Sequence, residues 1–305
     1  MHTSADLLKL TVGPLRYRLV AHDAWGRGAL ARLRENVECV PFDGAADRTV
    51  HLLEYVLGRE DIQGLESHRL PERLAELVGA RCPKERWGVT TDTTGCAAWN
   101  RSGTASSVLT YSAQFVEQPA CFELPWQAML MDSVARGGGI LHGGLATLNQ
   151  RGYIFTAPPG GGKTTALSRT PPPWKTMADD AVLIWPAAQE RFRASALPTW
   201  SVLLQRSQAP PGVERWSVAT CVDVAGILLL RKARANRLSA LEPIVAAQAL
   251  YRALSEHPRV LANRDPLRKD LFRAACALAR AVPAWELELT RRADFWSVLN
   301  DAFAC

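Results

Sequence analysis

Lys163 and Thr164 close the run Ala157-Pro158-Pro159-Gly160-Gly161-Gly162, which follows the strand-like Tyr153-Ile154-Phe155-Thr156. Glycines free the backbone to aim several N–H groups at one anion, and a helix start behind them adds positive potential. In such a loop Lys163 offers a point charge to the β- and γ-phosphates of ATP, and Thr164 a hydroxyl to Mg²⁺. Pro159, Gly160, Gly161, Gly162 and Thr165 complete the phosphate-contacting set. The usual spacing is G-x-x-x-x-G-K-[ST], and Ala157 occupies its first glycine position. The surroundings support a phosphate loop all the same: a strand precedes, a helix-compatible stretch at 165–169 follows, and an acidic pair stands ahead of a second strand.

That pair is Asp179-Asp180, directly before the apolar run 181–185. Phosphoryl transfer to an alcohol needs an acid that holds metal and a base at the hydroxyl. Two adjacent carboxylates beside bound phosphates can divide those tasks, although the same pair would also suit a turn or a helix cap. His142, between Leu141 and Gly143-Gly144, is a candidate phosphate contact or proton relay. Arg231, Arg264 and Arg268 fall in segments that can border the site, and Arg264, ahead of a helix, is the one to test.

The elements that must position these groups can be read from pattern. Residues 7–20 suggest two short strands broken at Gly13-Pro14, and leucines at helical spacing over 25–36 predict an amphipathic helix. Strands are expected at 50–57, 87–90, 96–99 and 107–112, and a short helix at 70–77. Together, residues 1–136 form an expected N-terminal α+β region without catalytic machinery, suited to acceptor recognition. A helix over 122–136 ends at Gly137-Gly138-Gly139, which marks the expected join to a catalytic part at 137–305. There, one strand at 140–148 should turn at residues 149–152 into the strand that feeds the loop. Pro171-Pro172-Pro173 must end the loop helix, since proline cannot continue it. Further strands are expected at 191–194, 202–205, 222–231 and 285–289, with helices at 243–254, 266–281 and 293–303.

Composition narrows the class. Of 305 residues 48% are hydrophobic and 22% charged, ordinary for a globular protein, and no apolar run is long enough for a bilayer. The start, MHTSADLLKLTVG, lacks a signal-peptide pattern, so a cytoplasmic location with reduced, mostly buried thiols is expected for its seven scattered cysteines. None of them forms a C-x-x-C pair, which argues against zinc. The net charge of +6 is dispersed, and without a basic arm or a nucleic-acid motif it argues steering and solubility, so neither a nucleic-acid nor a membrane partner is expected. The histidines His22, His51 and His68 read as surface or packing residues and not ligands, and the tryptophans Trp25, Trp87 and Trp99 as core. A homo-oligomer is compatible with all of this.

The order His142-Gly143, a strand, Pro159-Gly160-Gly161-Gly162-Lys163-Thr164, a short helix, then Ala178-Asp179-Asp180-Ala181-Val182 resembles the catalytic domain of HPr kinase/phosphorylase and its serine-kinase relatives, among them lasso-peptide kinases. The likeness is strongest over 138–186, weaker over 222–290, and does not reach the N-terminal region. It implies an α/β fold with a P-loop kinase domain like the HPr kinase C-terminal domain, using ATP and Mg²⁺ on a serine hydroxyl. Asp179 would then be the general base, Asp180 and Thr164 the metal side, Lys163 the phosphate cation, and His142 the histidine near the phosphate.

Departures bear on the substrate. Pro159 stands where the bacterial HPr kinases carry serine, Thr165 where they carry glutamate, and residues 197–201 replace their glycine-rich signature. These differences point away from HPr as acceptor and from phosphorolysis, toward a peptide or small-molecule hydroxyl. Two other readings stay open: a nucleotide-binding switch that transfers no phosphate, and a kinase of free serine or a sugar.

Overall fold

Buried and half-buried side chains alternate through Leu7–Val12 (β1), and buried and exposed ones through the start of Leu15–Ala21 (β2), an antiparallel hairpin that turns at Gly13 with φ 54°. The computed structural model describes residues 7–54, 87–92, 95–100, 106–111, 124–197, 215–256, 265–292 and 294–303. Within them the chain divides into two compact units, Met1–Met131 and Asp132–Cys305.

In the first unit Asp23 accepts a hydrogen bond from the Gly26 amide at 2.8 Å and so caps helix α1 (Ala24–Asn36), which buries Leu30 and Leu33. Strands β3 (Arg48–Glu54), β4 (Trp87–Asp92), β5 (Gly95–Asn100) and β6 (Ser106–Tyr111) complete a mixed sheet in the order β1-β2-β3-β6-β5-β4. The expected helix at 70–77, the end of the strand at 50–57, and His68 lie outside the described residues. So do the Trp87 and Trp99 side chains, while Trp25 is half-buried.

The second unit contains the glycine loop and the acidic pair. Helix α2 (Leu124–Ala135) ends where Gly137 adopts φ 82° and the Gly138 amide returns to the Ser133 carbonyl at 2.8 Å. The unit boundary falls inside this helix and not at the glycine run. Its last turn is tied to the sheet, because the buried Ser133 hydroxyl donates to the Ile184 carbonyl at 2.7 Å.

The single strand expected over 140–148 is two strands, β7 (Gly139–His142) and β8 (Gly144–Leu148), with different partners. Gly143 makes the corner: a Cβ there would stand 2.8 Å from the Phe155 carbonyl oxygen, and its amide donates to the Asp180 carbonyl at 2.9 Å. From β8 the chain turns through Asn149 (φ 51°) and Gln150 (φ 65°) into β9 (Arg151–Thr156), a tight hairpin with two left-handed residues.

Beyond the loop helix α3 (Lys163–Leu167) come β10 (Lys175–Ala178), β11 (Ala181–Pro186), β12 (Phe192–Ala196) and the long β13 (Val222–Lys232). A short β14 (Arg237–Ala240), which the sequence pattern did not suggest, precedes α4 (Pro243–Glu256), α5 (Asp265–Ala281), β15 (Ala284–Leu289) and α6 (Phe295–Phe303). The expected strand at 202–205 lies outside the described residues.

The sheet runs β10-β8-β9-β13-β12-β11-β7, and β15 pairs with both β13 and β14. Its centre is parallel, β9 beside β13 beside β15, with Thr156 opposite Leu229 and Leu289 opposite Lys232. The fold is therefore mixed α/β. One face buries an aromatic cluster in which Tyr153 and Trp174 ring centres lie 4.9 Å apart and Trp174 and Trp296 5.3 Å apart. Trp174 Nε1 donates to Asn300 Oδ1 at 2.7 Å, which fixes α6 against that face. No helix among the described residues is long and apolar enough to cross a membrane. The described cysteines Cys39, Cys221 and Cys276 are free thiols, and they are half-buried instead of buried.

Candidate functional site

Strand β9 ends at Thr156, and the chain crosses from it to α3 through Ala157–Gly162. The left-handed angles of this crossing fall on Gly160 (φ 72°) and Gly162 (φ 101°). A Cβ at either would meet nothing within 4 Å, so both are glycine for backbone reasons. Gly161 is glycine for space, since a Cβ would stand 2.5 Å from Ala157 Cβ and 2.8 Å from the Pro158 oxygen. Ala157, where the motif has its first glycine, has no left-handed φ and is buried at the strand end. The departure from the motif costs the loop nothing in conformation.

Lys163 is 7% exposed, and its Nζ donates to the Ala157 carbonyl at 2.8 Å. Burial pushes this ammonium below the ordinary lysine value, with Glu256 and then Asp180 pulling it partly back. Thr164 is half-buried on the same turn, while Pro159, Gly160 and Thr165 are exposed on the loop surface. α3 spans only Lys163–Leu167, and a Cβ on Gly144 would lie 1.9 Å from Leu167 Cδ1, so the helix sits directly on β8.

The acidic pair divides by exposure. Asp179 is 2% exposed, whereas the Asp180 side chain is 45% exposed. Pairing of Ala181 with His142 across β11 and β7 brings Asp180 to the imidazole, with Asp180 Oδ1 3.5 Å from Nε2. The backbone locks this corner to the loop strand, for Thr156 Oγ1 donates to the His142 carbonyl at 3.1 Å. Lys163, Asp180 and His142 thus share one site, with Asp179 buried next to it in sequence.

Glu256 is the residue that sequence reasoning missed. It ends α4, and its carboxylate pairs with His142 Nδ1. α4 approaches β7 closely because Gly139 leaves room, a Cβ there falling 2.8 Å from Leu254 Cδ2. A carboxylate on Nδ1 fixes the ring orientation and turns Nε2 toward Asp180. The signal available in the sequence was weak: an acidic residue at a helix end, far along the chain.

Arginine is abundant in this chain, and the two candidate arginines that are described lie on exposed surface. Arg231 is committed to Glu286 at 3.0 Å and to Glu288, on the exposed face of the sheet. Arg268 is exposed on α5, and Arg264 lies outside the described residues.

The loop geometry fits a phosphate ligand, with the open glycine positions facing solvent and Lys163 poised behind them. For Mg²⁺ the donors on hand are the Thr164 hydroxyl and the aspartates. No cage of three or more His, Cys, Asp or Glu is present among the described residues. Mg²⁺ commonly binds through one or two protein oxygens together with phosphates and water, so this donor set is adequate.

Residues 124–304, a stretch that begins with the first residue of α2 and takes in nearly all of the second unit, match the family described as SynChlorMet cassette protein ScmC. No curated protein matches the chain.

Proposed function

We propose that this chain, which belongs to the family of SynChlorMet cassette protein ScmC, is an ATP-dependent kinase of the HPr-kinase-like type that phosphorylates a serine hydroxyl, with a peptide as acceptor. One observation carries the reading. A glycine loop holding Lys163 stands beside a cluster in which Asp180 and Glu256 flank His142. Cationic and general-base groups side by side are what phosphoryl transfer to an alcohol requires.

ATP with Mg²⁺ would supply the phosphoryl group and offset its charge. Lys163 must leave the Ala157 carbonyl to reach a phosphate, and backbone N–H groups of the loop hold the other oxygens. Asp180, the exposed carboxylate, takes the acceptor proton with His142 as its hydrogen-bonded neighbour. The acceptor oxygen bonds to phosphorus as the bond to the bridging oxygen breaks, and ADP is the second product. Buried Asp179 is left to the metal side with Thr164. This exchanges the two aspartate roles that the family resemblance implies. A need for ATP implies the cytoplasm as the working compartment.

The test is ATP turnover with candidate peptides by Asp179→Asn and Asp180→Asn. Loss of transfer in Asp180→Asn with ATP binding intact supports the assignment, and full activity in that variant overturns it. A nucleotide-binding switch without transfer is the second reading. It is favoured by the resting hydrogen bond of Lys163 to Ala157, which already satisfies the lysine without a ligand. A switch would bind ATP and label no acceptor in any variant.

A further inference from the structure

Thr147, Asn149 and Gln150, at the turn from β8 into β9, line a cavity of about 820 Å³ together with residues of β10, β12 and the start of β13. It stands at the amino end of β9, whereas the glycine loop leaves the carboxyl end, so it is a place apart from the phosphate loop. β10 and β12 both reach it although β8, β9 and β13 lie between them in the sheet. The sheet therefore curls, and the cavity is the mouth of that curl, a setting in which small-molecule sites recur.

Its wall is rich in donors and poor in acceptors. Lys175, Arg193 and Arg215 bring three cations, and the Asn149 and Gln150 amides add N–H groups at the rim. Among the described residues Asp223 is the one carboxylate in the wall, and it is already engaged. Its Oδ2 lies 3.4 Å from Arg191 Nη1 and its Oδ1 3.5 Å from Arg193 Nε. Lys175 and Arg215 have no ion pair among the described residues. Trp216 is 1% exposed, and neither its Nε1 nor the Nε of Arg193 makes a hydrogen bond among the described residues. Buried N–H groups are nearly always paired, so each of these calls for an acceptor. Arg193 is held in place, since its Nη2 donates to the Cys221 carbonyl at 3.3 Å. Buried Val222 and half-buried Met177 supply apolar surface beside the donors.

We propose that this cavity binds a small organic carboxylate, an acid whose oxygens meet Lys175, Arg215 and the unpaired N–H groups while its apolar body lies on Met177 and Val222. The unmatched groups of the wall are donors and cations, and an ionised carboxylate brings acceptors and negative charge only. Guanidinium forks receive both of its oxygens at once. A phosphate suits the wall less well. Phosphates are held by glycine-rich backbone turns and helix starts, and neither is present in this wall among the described residues. The second negative charge of a phosphate would also face Asp223. A cavity of about 820 Å³ has room for an organic body behind the charged group, which a lone inorganic ion would leave unfilled.

The experiment is calorimetric titration of the full chain with phenylbutyrate, its neutral counterpart phenylbutyramide, glutarate, and phenyl phosphate, with ligand-observed NMR to detect millimolar binding. It is run on the wild type, Lys175→Gln, Arg215→Gln, Trp216→Phe, and the control Arg273→Gln, an exposed residue of α5 outside this cavity. At least one of the two carboxylates should bind the wild type about tenfold tighter than the amide and the phosphate, as a charge-assisted contact would. Lys175→Gln and Arg215→Gln should each weaken that carboxylate about fivefold, and Trp216→Phe by a similar factor of about five, with the control unchanged. Should the buried Trp216→Phe variant fail to fold, the two surface variants still decide. Absence of carboxylate binding at millimolar concentration, equal affinity for acid and amide, tighter binding of phenyl phosphate, or equal weakening by Arg273→Gln overturns the proposal. No arm uses ATP or phosphate transfer, so the kinase reading and this site stand or fall separately.

Discussion

Replacing Glu256 by glutamine probes the part of the site that only the fold reveals. The carboxylate faces His142 Nδ1, and the two side chains are 19% and 21% exposed, so solvent screens the contact only in part. A hydrogen bond to a charged group in such a setting contributes about 1.5–3 kcal/mol. Glutamine keeps the shape and one hydrogen bond, so about half is lost and kcat/KM should fall about tenfold. Glu256→Ala loses the whole contact and should fall about 100-fold.

A second readout separates positioning from mere packing. Glu256 is the larger of the two influences that pull the Lys163 ammonium back up against the effect of burial. With Glu256 neutralised, Lys163 gives up its proton at lower pH, and ATP affinity should begin its alkaline decline earlier than in the wild type. The assay is ATP titration of both proteins through a series of buffers from neutral to alkaline. Coincident profiles together with unchanged kcat/KM would refute the reasoning.

Lys163→Met should keep the fold and lose ATP: the methionine retains the buried stem, while loss of a charged phosphate contact costs about 2–5 kcal/mol of affinity, read by calorimetry. The same pair gives a stability test. The folded Lys163 value lies below the ordinary 10.5, so between the two the unfolded chain binds more protons and stability rises with pH. Wild type should therefore gain stability relative to Lys163→Met as pH climbs through that window toward 10.5, measured by urea unfolding. Gly144→Ala forces a methyl to 1.9 Å from Leu167 Cδ1 and should cost about 1–3 kcal/mol, seen as a lower urea midpoint.

Local pattern made much of this fold legible. The loop announced itself because glycines, a lysine and flanking strand and helix residues are contiguous. β13 showed as a mostly apolar run because its central residues, Ile227 and Leu228 among them, are buried between neighbouring strands on both sides. The split of residues 139–148 was hidden because Ile140-Leu141-His142 and Leu145-Ala146 are equally strand-like. Only the close approach of the Phe155 carbonyl at Gly143 tells that the chain turns. Glu256 was illegible for a related reason, since its role depends on α4 lying against β7 through Gly139. The adjacency of Asp179 and Asp180 was plain, but which of them is buried depends on how β11 pairs with β7. The donor-rich cavity was invisible in sequence, since Lys175, Arg193 and Arg215 meet only where the sheet curls β10 toward β12.

The most direct measurement is incubation of the chain with γ-labelled ATP and Mg²⁺ in the presence of candidate peptides, free serine, or water alone, followed by mass mapping of the label. The account predicts label on a serine hydroxyl of a peptide, abolished by Asp180→Asn and by Lys163→Met. Tight ATP binding with label on no acceptor, or transfer that survives both substitutions, would contradict it.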